Sequence, residues 1–120
     1  MVIALWIAAA LLALSNLGAG TFKLVTPREK LTGMQPWTND FTAAQIKLIA
    51  VAEILGGLGV ILPLLTGIAP IMASIAAFAI AALQVGATVV HIRRKELVVP
   101  NLVIIAIALF VGIGWIVVGR

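Results

Sequence analysis

The residue whose chemistry most needs explaining is Glu53, the sole acid in the otherwise apolar stretch 45–65. A carboxylate in such surroundings is costly, so it has to be paired, protonated or put to use. Four other polar residues fall where they can meet it: the amine Lys23, the imidazole His91 and the amides Asn16 and Gln84. Asn16 precedes Lys23 by seven positions, and Gln84 precedes His91 by the same interval. Seven residues are nearly two helical turns, so Asn16 shares a face with Lys23, and Gln84 and Thr88 share one with His91. The expectation is a buried polar cluster of Asn16, Lys23, Glu53, Gln84 and His91.

Three kinds of chemistry suit such a cluster. Its groups can neutralise one another as interhelical glue, with hydrogen bonds worth about 0.6–2 kcal/mol each. They can form the polar end of a ligand site, or Glu53 can exchange protons with a transported substrate. For Lys23 and His91, which lie close to a boundary, snorkelling toward water is a further structural role. Lys47, six residues before Glu53, lies off its face and reads as an interface anchor.

Other chemistry lacks its residues. The chain has no cysteine and one histidine, so it carries no disulfide or thiol redox centre, and any metal site needs ligands from a second chain. No glycine-rich phosphate loop and no serine nucleophile with a base is present. No catalytic residue and no metal ligand is therefore assigned.

The elements that must position these groups are four apolar stretches, about 2–22, 45–65, 69–90 and 98–118. About twenty residues at ~1.5 Å each cover the ~30 Å hydrocarbon core of a bilayer. Backbone groups in lipid must pair within their own segment, and barrel-type alternation is absent, so the spans are helices. The composition agrees: 63% of the 120 residues are hydrophobic and 10% charged, too few charges for a water-soluble surface. The fold class is all-α, a transmembrane four-helix bundle in a single domain, 1–120. The first stretch lacks a basic residue ahead of its apolar core and is long enough to span, so it reads as a retained helix rather than a signal peptide.

Between the spans, Thr66-Gly67-Ile68 forms a tight turn flanked by Pro63 and Pro70. The interfacial loop 23–44 contains Thr26-Pro27-Arg28-Glu29, a helix start with Thr26 as N-cap. Met34, Trp37 and Phe41 are apolar anchors that suit a segment lying on the membrane surface. Ala73, Ala77 and Ala81, with Gly56, Gly57 and Gly59, favour close helix packing, although Gly57 can equally leave room for a ligand beside Glu53.

Lys23, Arg28, Lys30, Lys47, Arg93, Arg94 and Lys95 flank or fill two loops, against Arg120 on the opposite side. The positive-inside rule puts both basic loops in the cytoplasm and the termini outside, with Trp6 and Trp115 together at the outer interface. The predicted location is the cell inner membrane, multi-pass. Helical Cα–Cβ bonds tilt toward the N-terminus, so Lys23 and His91 lean back into the membrane while Glu53, on an oppositely directed span, leans to meet them. The net charge of +4 suits anionic lipid headgroups, not nucleic acid.

Several runs together resemble one family. They are Ala19-Gly20-Thr21-Phe22-Lys23-Leu24, Ala52-Glu53-Ile54-Leu55-Gly56-Gly57-Leu58-Gly59, Leu62-Pro63-Leu64-Leu65-Thr66-Gly67, and Gly86-Ala87 followed by His91-Ile92-Arg93-Arg94-Lys95-Glu96. In order and spacing they are similar to the DoxX-like family of small four-helix integral membrane proteins, over nearly the whole chain. The positions matching that pattern are Lys23, Glu53 and His91. The resemblance implies a redox context, since the wider group is similar to the membrane subunit of thiosulfate:quinone oxidoreductase and to proteins of oxidative-stress complexes. Other relatives look like assembly chaperones for membrane receptors.

Three functions follow as expectations. The first is a non-catalytic subunit or assembly partner, homo-oligomeric or joined to another membrane protein, serving a redox complex through a quinone or lipid held near Glu53. The second is a small proton-coupled transporter using Glu53. The third is a membrane quinone oxidoreductase.

Overall fold

The structure is a computed structural model and describes residues 1–67 and 71–118. Among these described residues five α-helices follow in chain order: α1 (Val2–Val25), α2 (Arg28–Met34), α3 (Ala43–Thr66), α4 (Ile71–Arg93) and α5 (Val99–Val118). A 3-10 turn, Pro36–Asp40, lies between α2 and α3. Among the described residues there is no strand. α1, α3, α4 and α5 are each long and apolar enough to cross a membrane. At ~1.5 Å per residue, the 20 residues of the shortest already reach ~30 Å.

These four helices pack in the cyclic order α1, α3, α4, α5. Chain neighbours α3 and α4 are adjacent, as are α4 and α5, while α1 closes the ring against both α3 and α5. Ala9, Leu12, Val60, Ala77, Ile80, Ala108 and Val111 bring all four helices into one core. The outward faces are just as apolar: Ile3, Leu14, Leu48, Leu55 and Ile113 are all exposed. A surface of this kind has lipid, not water, as its solvent.

Small residues set how closely the helices approach. Ala73, Ala77 and Ala81 are buried. A Cβ on Gly20 would stand 2.5 Å from the Ala50 carbonyl oxygen and 2.7 Å from Ile54 Cγ1, so α1 meets α3 there nearly backbone to backbone. Gly57 is likewise used for packing, against Leu17 and the Ala13 carbonyl of α1. At the far end of the bundle Trp6 and Trp115 meet edge to face with ring centroids 5.7 Å apart.

The helix ends differ in detail from the expected ones. α1 continues through Lys23 to Val25, and Thr26 closes it with its N–H on the Phe22 carbonyl. α2 therefore starts at Arg28, with Pro27 in the cap position and no side-chain cap bond. Thr42 does cap by its side chain. Its hydroxyl accepts from the Gln45 N–H at 3.1 Å while Gln45 Oε1 accepts from the Thr42 N–H at 2.9 Å, a capping box at the start of α3. Gly67 ends α3 in the left-handed region, φ 72°, where glycine is favoured. Ile68 and Pro70 of the expected turn, and Arg120, lie outside the described residues.

Candidate functional site

Lys23 occupies the last turn of α1 and Glu53 the middle of α3. Gly20, one turn before Lys23, removes the side chain that would hold these helices apart. Across that close approach Lys23 Nζ donates to Glu53 Oε1 at 2.9 Å, and both side chains are more than nine-tenths buried. An ion pair this sheltered is strong in Coulomb terms but has shed its hydration. It is therefore a device for holding two helices in one arrangement rather than a large net source of stability. Lys23 Nζ also stands 5.8 Å from the centroid of the Trp37 ring, within reach of a cation–π contact.

Beside this pair lies a cavity of about 440 Å³, within the common range for small-molecule sites. Lys23, Glu53, Gln84, His91 and Asn101 supply polar groups to its wall. Ile49, Leu83, Val90 and Ile104 supply aliphatic side chains to it. Gln35, Trp37 and Phe41 close it from the segment between α1 and α3. Trp37 and Phe41, expected as surface anchors, thus line the cavity, while Met34 is the exposed one of the three. Trp37 packs edge-on against both Phe41 and His91, with centroids 5.7 and 6.0 Å apart.

The amides behave differently from one another. Gln84 Oε1 accepts from Asn101 Nδ2 at 2.7 Å, which joins α4 to the first turn of α5. Asn16 is buried but is not part of the cavity wall. Its Nδ2 donates to the Leu12 carbonyl of its own helix at 3.0 Å, and its Oδ1 has no partner among the described residues. Thr88 returns its hydroxyl to the Gln84 carbonyl at 2.7 Å.

His91 is bonded to Glu96, not to Glu53. The reason is the way α4 ends: the Glu96 N–H reaches the His91 carbonyl at 2.8 Å and the Lys95 N–H reaches the Ile92 carbonyl at 3.0 Å. That pattern is a Schellman closure with Lys95 in the left-handed region, φ 58°. It folds Glu96 back over the helix end, where Oε1 lies 2.7 Å from His91 Nδ1. A carboxylate only accepts, so Nδ1 carries the hydrogen and Nε2 is left for another partner. Arg94 completes the group, donating from Nε to Glu96 Oε2 at 3.2 Å and from Nη1 to both Asp40 oxygens at 3.0 and 3.1 Å. The His91 hydrogen bond, followed by the hydrogen bond and charge of Arg94, holds the Glu96 carboxyl below its usual range. Bonds to Glu96 and Asp40 raise the Arg94 guanidinium further.

The structure therefore joins Lys23 to Glu53, puts Gln84 and His91 on the same cavity, and leaves Asn16 outside it. Asn101, Trp37 and Glu96 are participants that sequence reasoning did not assign to the site. Only Asn101 carried a plain signal, being the lone amide in the last span.

The sequence model described as the DoxX-like family matches residues 7–113, nearly the whole chain and every residue of the Lys23, Glu53, Gln84, His91 and Asn101 set. The chain belongs to the DoxX-like family. No curated protein and no solved structure gave a significant match. With four apolar spans, this DoxX-like chain is a multi-pass membrane protein whose outward faces contact the lipid bilayer. Among its described residues no three His, Cys, Asp or Glu side chains are grouped as a metal site. What the DoxX-like bundle offers chemically is a mixed pocket, lined by hydrogen-bonding groups, aliphatic side chains and a self-neutralised ion pair.

Proposed function

We propose that this protein is a non-catalytic membrane subunit or assembly partner that holds an amphipathic small molecule, a quinone or a lipid, beside Glu53. The observation that carries this reading is the cavity of about 440 Å³, lined by polar groups from four helices together with aliphatic side chains. Lys23 and Glu53 cancel each other's charge, which favours a neutral polar head over an ion. The sites left on Lys23 Nζ, His91 Nε2 and the Gln84 and Asn101 amides suit a head rich in carbonyl or hydroxyl groups. The basic residues gathered at this end support an orientation in which both loops face the cytoplasm of a cell with an inner membrane. Reporter fusions placing the N-terminus in the cytoplasm would reverse that orientation.

Extraction and mass spectrometry of protein purified in mild detergent test the binding role. Quinone or lipid should accompany the native chain in near-stoichiometric amount and be depleted in Ala87→Phe, which places a bulky ring on the cavity wall and leaves both residues of the ion pair unchanged. Recovery of the native chain as a bare monomer, with neither partner nor ligand, would remove the proposal. A proton-coupled transporter is the second reading, favoured by the in-span position of Glu53. It requires Glu53→Gln to abolish transport in liposomes while assembly is retained.

A further inference from the structure

The segment between α1 and α3 is fastened at its two ends and closed upon itself in between. At one end the Thr26 N–H bonds the Phe22 carbonyl; at the other the Thr42–Gln45 capping box begins α3. Inside it, Arg28 Nη2 donates to the Phe41 carbonyl at 2.8 Å, spanning 13 residues, and Thr38 bonds the Gln35 carbonyl at 2.7 Å with its side chain buried. α2 and the 3-10 turn pack against each other. The segment is thus a small unit with its own internal bonds, and moving it need not unravel it.

Its attachment to the rest of the bundle is of another kind. Among the described residues, the hydrogen-bonded side-chain tie between this unit and the spans' far side is Asp40 with Arg94, both partly exposed. Trp37 adds a ring contact with His91 and the approach of Lys23. Arg94 is in turn held by Glu96, which also holds His91. One chain of contacts therefore runs from Asp40 through the α4–α5 turn to the cavity wall.

From this arrangement we infer that residues 26–42 form a lid over the cavity, with Trp37 as its inner face and the Asp40–Arg94 pair as its latch. The lid turns about the ends of α1 and α3, and breaking the latch lets Trp37 lift from His91. Water-side entry then depends on an exposed ion pair, which salt screens, while the buried Lys23–Glu53 pair stays formed. This regulation rests on the binding role proposed above, but its test needs no ligand, so either can fail without the other.

The chain has no cysteine, so Ala87→Cys provides a single thiol on the cavity wall. Its reaction with a bulky, water-soluble maleimide should be slow in detergent-solubilised protein. Adding Asp40→Asn should speed it by about fivefold, the most that an exposed pair of this type usually supplies, and Asp40→Glu should keep it slow. Raising the salt concentration should speed the reaction with Asp40 present and have little effect with Asp40→Asn. A thiol introduced by Lys47→Cys, at an exposed site, should react equally fast in both backgrounds. Equal rates at position 87 with and without Asp40→Asn would overturn the lid, as would a matching acceleration at position 47, which signals general loosening.

Discussion

Lys23 and Glu53 meet at 2.9 Å across a close approach of α1 and α3, and both line the cavity. The pair is both part of the wall of the candidate site and a clasp between two spans. Its two roles separate by substitution, because removing one member does something different from removing both.

Lys23→Met alone leaves a buried carboxylate without its counter-charge and should destabilise the bundle by about 3–5 kcal/mol. The double change Lys23→Met with Glu53→Gln should recover most of that loss. Reversible unfolding in detergent, followed by circular dichroism, gives both values. A single-variant cost below about 1 kcal/mol, the level of an exposed pair, would show that the pair does not clasp the helices.

Gly20→Ala tests the approach itself. The added methyl would meet the Ala50 carbonyl oxygen and Ile54 Cγ1, neither able to yield cheaply, so α1 must back away from α3 at a cost of about 1–3 kcal/mol. Gly18→Ala, where nothing stands within 4 Å, should be neutral or mildly stabilising, since alanine is the better helix former by ~1 kcal/mol. Equal melting temperatures for the two variants would contradict the close contact.

Acid should loosen the α4–α5 turn. Glu96 has a folded-state pKa below its ordinary 4.5, owing first to His91 and then to Arg94. Its contribution to folding is therefore complete above about that value and disappears as the pH falls through the lowered one. Amide exchange at the Lys95 and Glu96 N–H groups, compared at equal intrinsic rates, should stay slow at neutral pH and accelerate only below 4.5. Glu96→Gln should remove that acid step. Loosening between pH 7 and 5 in the native chain would mean that another group controls the turn.

Much of the architecture was legible in the residues, for a physical reason: a span has to be about twenty apolar residues long, and that length is visible without coordinates. Depth and the tilt of helical side chains also sufficed to bring Lys23 toward Glu53. Rotation of the last span was harder to read. α5 is apolar on every side except Asn101, so nothing in its pattern says which face meets Gln84. The His91–Glu96 bond depends on Lys95 adopting a left-handed conformation that glycine would have advertised and lysine does not. For Trp37, an aromatic beside a bilayer has two good environments, the interface and a pocket, and composition does not choose between them.

The Lys23–Glu53 clasp also bears on how the protein is made. Lys23 leaves the ribosome 30 residues ahead of Glu53, so α1 reaches the bilayer with a bare ammonium on its trailing turn. A lysine at a helix end can keep its charge in the headgroup region on its flexible stem, whereas a later-arriving carboxylate in mid-helix has no such refuge. The order of synthesis predicts that α1, once in the membrane, offers α3 the counter-charge for its carboxylate. Nascent chains carrying Lys23→Met should show a shallower α3 in glycosylation mapping.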